Sequence, residues 1–191
     1  MTAASPSLVV IRGNSGSGKT TTAREVRRRY GRGAALIEQD HLRRVVLREH
    51  GGNPVAPAFI VGTARAALDA GYHVVLEGIL HSGQHAGPLT DLIAGHPGPS
   101  HVYWFEVSFE ETVRRHLGRA EPIPVSAGRM REWYAPHDLL GVPGERVIPE
   151  TTGFEDAVTT ILHTSGLGRA AALSPCPVRC ARCAEKSAEP A

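Results

Sequence analysis

Eight consecutive residues, Gly13-Asn14-Ser15-Gly16-Ser17-Gly18-Lys19-Thr20, constrain this chain more than any other feature. They satisfy the pattern G-x-x-x-x-G-K-[ST] without a mismatch, and the apolar run Leu8-Val9-Val10-Ile11 stands just before them. A continuous apolar run that short reads as a strand buried on both faces. Ala23, Val26 and Tyr30 then recur at helical spacing. A strand, a glycine turn and a helix in that order aim backbone N–H groups and the positive helix end at one point, where phosphate binds. The pattern therefore predicts that Gly13 to Thr20, with Thr21, hold the phosphates of a nucleoside triphosphate. Lys19 is expected to reach the β- and γ-phosphates, and the Thr20 hydroxyl to serve Mg²⁺.

The rest of the chain alternates between strand and helix signals. Ala34 to Glu38 gives a second strand, His73 to Glu77 a third, His101 to Val107 a fourth and Arg146 to Ile148 a fifth. An Ala-rich helical stretch runs from about Thr63 to Ala70. Ser108 with Glu111 and Thr152 with Glu155 form capping boxes that open two further helices, the first continuing through Arg119. Phe154, Ala157, Val158, Ile161 and Leu162 line one face of the second. Repeated strand–helix units imply a three-layer α/β domain with a parallel sheet, which the pattern ends near Gly166. Residues 120 to 143 carry Pro122, Pro124, Pro136 and Pro143 around a helical patch at Met130 to Tyr134, and read as a lid insertion. The folded domain is placed at residues 1 to 168 and a flexible tail at residues 169 to 191.

Composition narrows the class. No apolar run nears the roughly 20 residues that span a bilayer, and the first residues lack a signal-peptide pattern, so a cytoplasmic location is the expectation. Residues 1 to 50 hold ten Arg/Lys against four Asp/Glu, and the remainder eleven against fifteen. That asymmetry fits a local anionic-ligand site better than a general nucleic-acid surface, although Arg24, Arg27, Arg28, Arg29 and Arg32 also read as a solvated helix face. Lysine occurs only at Lys19 and Lys186.

Absent motifs weigh against other nucleotide-dependent machines. The chain has no Asn-Lys-x-Asp element of GTPase switches and no Leu-Ser-Gly-Gly-Gln of transporters. Leu76-Glu77-Gly78 offers one acid where ring-forming ATPases carry Asp-Glu. These absences favour a small kinase. In an open parallel sheet, ligands sit at the carboxyl ends of the strands, where Asp40 and Glu77 fall. Asp40 suits the base for an acceptor hydroxyl, or a helix N-cap; Glu77 suits the metal or the substrate. Arg43 is a candidate substrate grip. Glu110 to Arg114 and Glu111 to Arg115 are spaced as i,i+4 pairs, so Arg119, without such a partner, is the better lid arginine, with Arg129 and Arg131 behind it.

The phosphate loop, Asp40-His41-Leu42-Arg43, Val75-Leu76-Glu77-Gly78 and Arg114-Arg115-His116-x-x-Arg119 together resemble the small P-loop kinases and phosphotransferases. That group includes gluconate and shikimate kinases, zeta-toxin-like kinases and chloramphenicol phosphotransferase. The resemblance covers about residues 7 to 165. It implies a P-loop NTPase fold with a five-stranded parallel sheet of order 2-3-1-4-5, ATP with Mg²⁺, Asp40 as base and an arginine-bearing lid. It also implies that Pro149, Glu150 and Thr151 border the adenine. Gln39 and His41 flank Asp40 where shikimate kinases place a second acid, which counts against a shikimate-like acceptor. The expected activity is phosphoryl transfer to a hydroxyl of a small molecule by a monomer or homodimer. A polynucleotide or tRNA kinase and a non-catalytic ATP-binding regulator are the alternatives.

Three further signals carry less. His81 and His85 lack a third ligand for a metal and read as a polar loop beside the acceptor. Cys176, Cys180 and Cys183 form a lone C-x-x-x-C-x-x-C pattern in the tail. Trp133 and Tyr134 fit packing of the lid against the core, or stacking on a substrate.

Overall fold

Strand β1 (Leu8–Gly13) is buried along its whole length, as a central parallel strand must be. The structure, a computed structural model, describes residues 5–49, 53–119 and 123–170. After β1 come α1 (Lys19–Tyr30), β2 (Ala34–Glu38) and α2, a helical turn at Gln39–His41 that widens into a π-helical turn at Leu42–Val46. Next are α3 (Val55–Asp69), β3 (His73–Gly78), α4 (Ser82–Ala94), β4 (Ser100–Glu106), α5 (Phe109–Leu117), α6 (Ala127–Trp133), β5 (Arg146–Pro149) and α7 (Phe154–Thr164). The five strands are parallel and ordered β2-β3-β1-β4-β5, the 2-3-1-4-5 sheet of a P-loop NTPase.

Alternation along β1 builds the two hydrophobic layers. Val9 and Ile11 pack with Ala23, Val26 and Tyr30 of α1 and Ala157, Val158 and Ile161 of α7. Leu8 and Val10 face the other way, onto Ile60, Ala64 and Leu68 of α3 and Leu89 and Leu92 of α4. Helices therefore cover both faces, and every strand ends at the same edge. No helix among the described residues is long and apolar enough to cross a membrane.

Several local expectations differ from what is found. The stretch from His81 to His85, expected as a polar loop, runs into α4, which forms despite Gly83, Gly87 and Pro88; burial of Leu89 and Leu92 outweighs their low helix propensity. Helix α7 is entered at Gly153 without a side-chain cap, so Thr152 does not form the expected box, and Phe154 is 44% exposed. Ser108 does accept from Glu111 N, at 3.4 Å. Asp40 lies inside the turn that Glu38 opens, so it is not an N-cap. Helix α5 ends at Leu117, short of Arg119. Residues 120–122 of the lid insertion and the cysteines of the tail lie outside the described residues.

One buried charge fixes the insertion to the sheet. Arg12 of β1 is fully buried between Gly78 of β3 and Trp104 of β4, and its guanidinium uses all five donors. Nε and Nη2 donate to Leu80 O at 3.1 and 2.8 Å, and Nη2 also to Asp138 Oδ2 at 2.8 Å. Nη1 donates to Asp138 O at 2.7 Å and Glu145 Oε1 at 3.3 Å. Burial alone pushes the Asp138 carboxyl up, but hydrogen bonds from Ser82 and the charges of Arg12 and His81 bring it below its usual value.

Candidate active site

The phosphate loop closes the gap between β1 and α1 at the strand-end edge. Gly16 (φ +83°) and Gly18 (φ +94°) adopt left-handed backbone that favours glycine. A Cβ on Gly16 would sit 2.5 Å from the carbonyl oxygen of Thr112, so α5 presses directly on the loop. Lys19 opens α1 and is only 8% exposed, with Nζ 3.4 Å from Asn14 O. Burial lowers its pKa; the charges of Glu77 and Asp40 oppose that, and Arg119 adds to it. Lys19, Glu77, Asp40 and Arg119 therefore share one electrostatic site.

The acids stand at the ends of β2 and β3. Thr20 Oγ1 donates to Glu77 Oε2 at 2.9 Å, which joins the two groups expected at Mg²⁺. Glu77 is buried; desolvation raises its pKa, with Glu38 and Asp40 adding to the rise and Lys19 and Thr20 opposing it. A hydroxyl and a carboxylate beside a buried ammonium are a hard-oxygen donor set suited to Mg²⁺. Glu38, paired in register with Glu77, is a third carboxylate that the motifs did not single out. It accepts from Arg24 Nε at 2.6 Å. The Asp40 side chain is 58% exposed and lies 3.6 Å from Arg44.

Asp40 opens onto a cleft of about 400 Å³ whose lining includes Arg43, Arg44, Glu49, His85, Arg129 and Trp133. Arg43 Nε is bound to Glu49, so one edge of its fork is already held. Trp133 and Tyr134 have different surroundings. Trp133 lines the cleft with the Arg129 guanidinium 5.2 Å from its ring centre. Tyr134 packs edge-on against Phe109 and donates to Val107 O at 3.0 Å. His81 lies 3.7 Å from Asp138, and no cluster of metal-ligating side chains occurs among the described residues.

The arginines are distributed differently from the i,i+4 scheme. Glu111 pairs with both Arg114 and Arg115, while Glu110 faces Arg131 of α6 at 3.6 Å. Arg115 also donates to Ser17 O of the phosphate loop at 3.0 Å and to Glu150 O at 3.2 Å. It thereby bridges the loop to the turn after β5. Arg119 is exposed and makes no ion pair among the described residues; its charge is felt at Lys19, whose pKa it helps to lower.

Asn14 is buried, and its side-chain amide exchanges two hydrogen bonds with the backbone of Ala135, at 2.8 and 2.9 Å. Its side chain therefore ties the loop to the insertion. Arg12, Arg115, Gln39 and Glu38 are the site residues that sequence reasoning missed. For Arg12 the signal was a charge inside a buried strand; for Gln39, a polar residue opposite Gly78, where a Cβ would lie 2.4 Å from Gln39 Oε1.

Residues 8–137 match a family model described as an AAA domain. No curated protein sequence matches the chain. Among solved structures, the APS kinase of Mycobacterium tuberculosis in complex with AMPPNP and APS superposes with a TM-score of 0.67 at 17% identity, over 88% of this chain and 100% of that one. A gluconokinase from Sinorhizobium meliloti 1021 gives 0.61 at 18%, over 87% and 94%. A chain of the Pnkp1/Rnl/Hen1 RNA repair complex gives 0.53 at 20%, over 69% of this chain and 44% of that one. At these identities the likeness is one of fold.

Proposed function

The chain belongs to the AAA domain family, and on that premise we propose that it is a phosphotransferase that moves the γ-phosphoryl group of ATP to a hydroxyl of a small molecule. The observation that carries the reading is the placement of Asp40. It borders a cleft of small-molecule size and at the same time lies within electrostatic reach of Lys19 and Glu77.

The backbone N–H groups of residues 13 to 20 and the start of α1 bind the phosphates of ATP. Thr20 and Glu77 would hold Mg²⁺, which would supply charge neutralisation for the phosphate groups. Asp40 accepts the proton of the acceptor hydroxyl as its oxygen bonds to the γ-phosphorus and the bond to the bridging β–γ oxygen breaks, releasing ADP. Lys19 and Arg119 offset the negative charge there. Arg115 holds the loop in shape from behind. Arg43 and Arg129 line the acceptor side.

A small acceptor is favoured over a polynucleotide end by the state of the basic helix. Arg24 is paired with Glu38, Arg28 with Glu25, and Arg29 with Glu25 and Glu155. Little unpaired charge is left on those three for a phosphate backbone. The test is incubation of the protein with Mg²⁺, γ-labelled ATP and separate pools of metabolites, antibiotics and nucleic-acid ends, followed by mass spectrometry. A phosphorylated small molecule supports the proposal. Label entering only the nucleic-acid pool refutes it, and nucleotide binding with no transfer to any pool points to a regulator.

A further inference from the structure

The Asp40 carboxylate has little of its own to hold it in place. Its side chain is 58% exposed, and its ion-pair neighbour among the described residues is Arg44 at 3.6 Å, itself exposed. It stands on a helical turn of three residues, Gln39–His41, too short to persist alone. Its position is therefore set by whatever fastens that turn to the sheet. Upstream, Glu38 is paired in register with Glu77 of β3. The next tie is the side chain of Gln39, which is buried.

Gln39 forms a relay to two other elements. Leu80 N–H donates to Gln39 Oε1 at 3.1 Å, so the other end of the amide, Nε2, faces His85 Nε2 at 3.2 Å. A ring nitrogen that meets an N–H supplies the lone pair, as a neutral imidazole can. Burial, with the charges of Arg43, Arg12 and His81, lowers the His85 pKa to about 4, so the ring is neutral at pH 7. Leu80 is a firm anchor. It is fully buried in left-handed backbone (φ +45°), and its carbonyl accepts from Arg12 Nε and Nη2 at 3.1 and 2.8 Å. A leucine keeps that conformation only where its surroundings dictate it. On β3, Gly78 leaves the room that Gln39 occupies, since a Cβ there would collide with Gln39 Cβ and Oε1.

A continuous set of buried contacts thus runs from Arg12 through Leu80 to the residue beside Asp40. We propose that Gln39 is a positioning residue for phosphoryl transfer, whose amide fastens the turn carrying Asp40 to the β3–α4 junction and so sets where the carboxylate meets the acceptor hydroxyl. This rests on Asp40 being the base of a phosphotransferase. The effect of Gln39 on rate passes through Asp40, and misplacing a catalytic group by about 1 Å costs up to about 10²-fold.

The experiment is a double-mutant cycle on the full chain: wild type, Gln39→Met, Asp40→Asn and the double variant. Single-turnover transfer from γ-labelled MgATP is read by mass in a pool of metabolites and antibiotics, and as released phosphate with water as the sole acceptor. AMPPNP affinity is measured by calorimetry. Met keeps the length of the side chain and removes both hydrogen bonds. The expected result is transfer lowered by at least about 10-fold in Gln39→Met with AMPPNP affinity within about 3-fold of wild type. Made in Asp40→Asn, the same substitution changes the rate by less than about 2-fold, which a general loosening of the fold would not produce. Gln39→Glu, which keeps an oxygen for Leu80 N–H, recovers part of the rate. Gly78→Ala pushes Gln39 aside from β3; it reproduces the loss when Asp40 is present and not in Asp40→Asn, and decides the matter if Gln39→Met fails to fold. A Gln39→Met rate within about 2-fold of wild type overturns the inference, as does an equal fold-loss with and without the Asp40 carboxylate; both leave phosphotransfer standing. A wild-type rate in Asp40→Asn, or no transfer by the unsubstituted protein to the pool or to water, overturns the reading of Asp40 beneath it and the inference with it.

Discussion

Arg12→Met is the perturbation whose cost follows most directly from the structure. The substitution removes five hydrogen bonds from a side chain with no solvent exposure and leaves Asp138 and Glu145 facing an apolar group. Losing one partner of a buried ionic cluster costs about 3–5 kcal/mol. The lower end applies here, because both carboxylates keep other donors. Ser82 N and Oγ still serve Asp138, and Leu140 N and Gly141 N still serve Glu145. Met also fills most of the space against Trp104, so little cavity is added. A loss of about 3 kcal/mol lowers Tm by about 6–12 °C in a domain of this size. Calorimetry and urea unfolding at pH 7 measure it. A loss below about 1 kcal/mol would refute the view that Arg12 fixes the insertion to the sheet.

Gly16→Ala must displace the α5 backbone at Thr112 from an already left-handed loop position, so the affinity for AMPPNP, measured by calorimetry, should fall by at least about 10-fold. Lys19 is the one lysine among the described residues, and burial makes it less basic than usual. A lysine-directed acylating nucleotide should modify Lys19 and be blocked by excess MgATP, as peptide mapping will show. His85 titrates near 4 in the folded state against 6.5 unfolded, so the unfolded chain binds the extra proton first. Stability should accordingly rise with pH between about 4 and 6.5, by about 3 kcal/mol in all, and His85→Phe should flatten that slope in urea unfolding.

How much was legible in the sequence depended on how local the cause was. The phosphate loop could be read because eight adjacent residues make it, and the β-strand runs because burial on both faces leaves an unbroken apolar string. Helix α4 could not, because Gly83, Gly87 and Pro88 oppose it locally and only the packing of Leu89 and Leu92 against the sheet overrides them. Arg12 was hidden for the opposite reason, since its partners Asp138 and Glu145 lie 126 and 133 residues away. The role of Arg115 was masked by a satisfied neighbour. Its pairing with Glu111 explained it as a surface ion pair, while its contact with Ser17 O depends on how α5 docks. Among the acids, Asp40 and Glu77 followed from the strand-end rule, whereas the relay from Gln39 to His85 depends on α4.

The central claim is that Asp40 acts on an acceptor hydroxyl beside a phosphate loop that binds ATP independently of it. The direct measurement is single-turnover transfer from γ-labelled MgATP to the acceptor identified by mass, in wild type and Asp40→Asn, with AMPPNP affinity determined on both. The account predicts affinities within about 3-fold of each other and a transfer rate lowered by about 10² or more. A wild-type transfer rate in Asp40→Asn would contradict it.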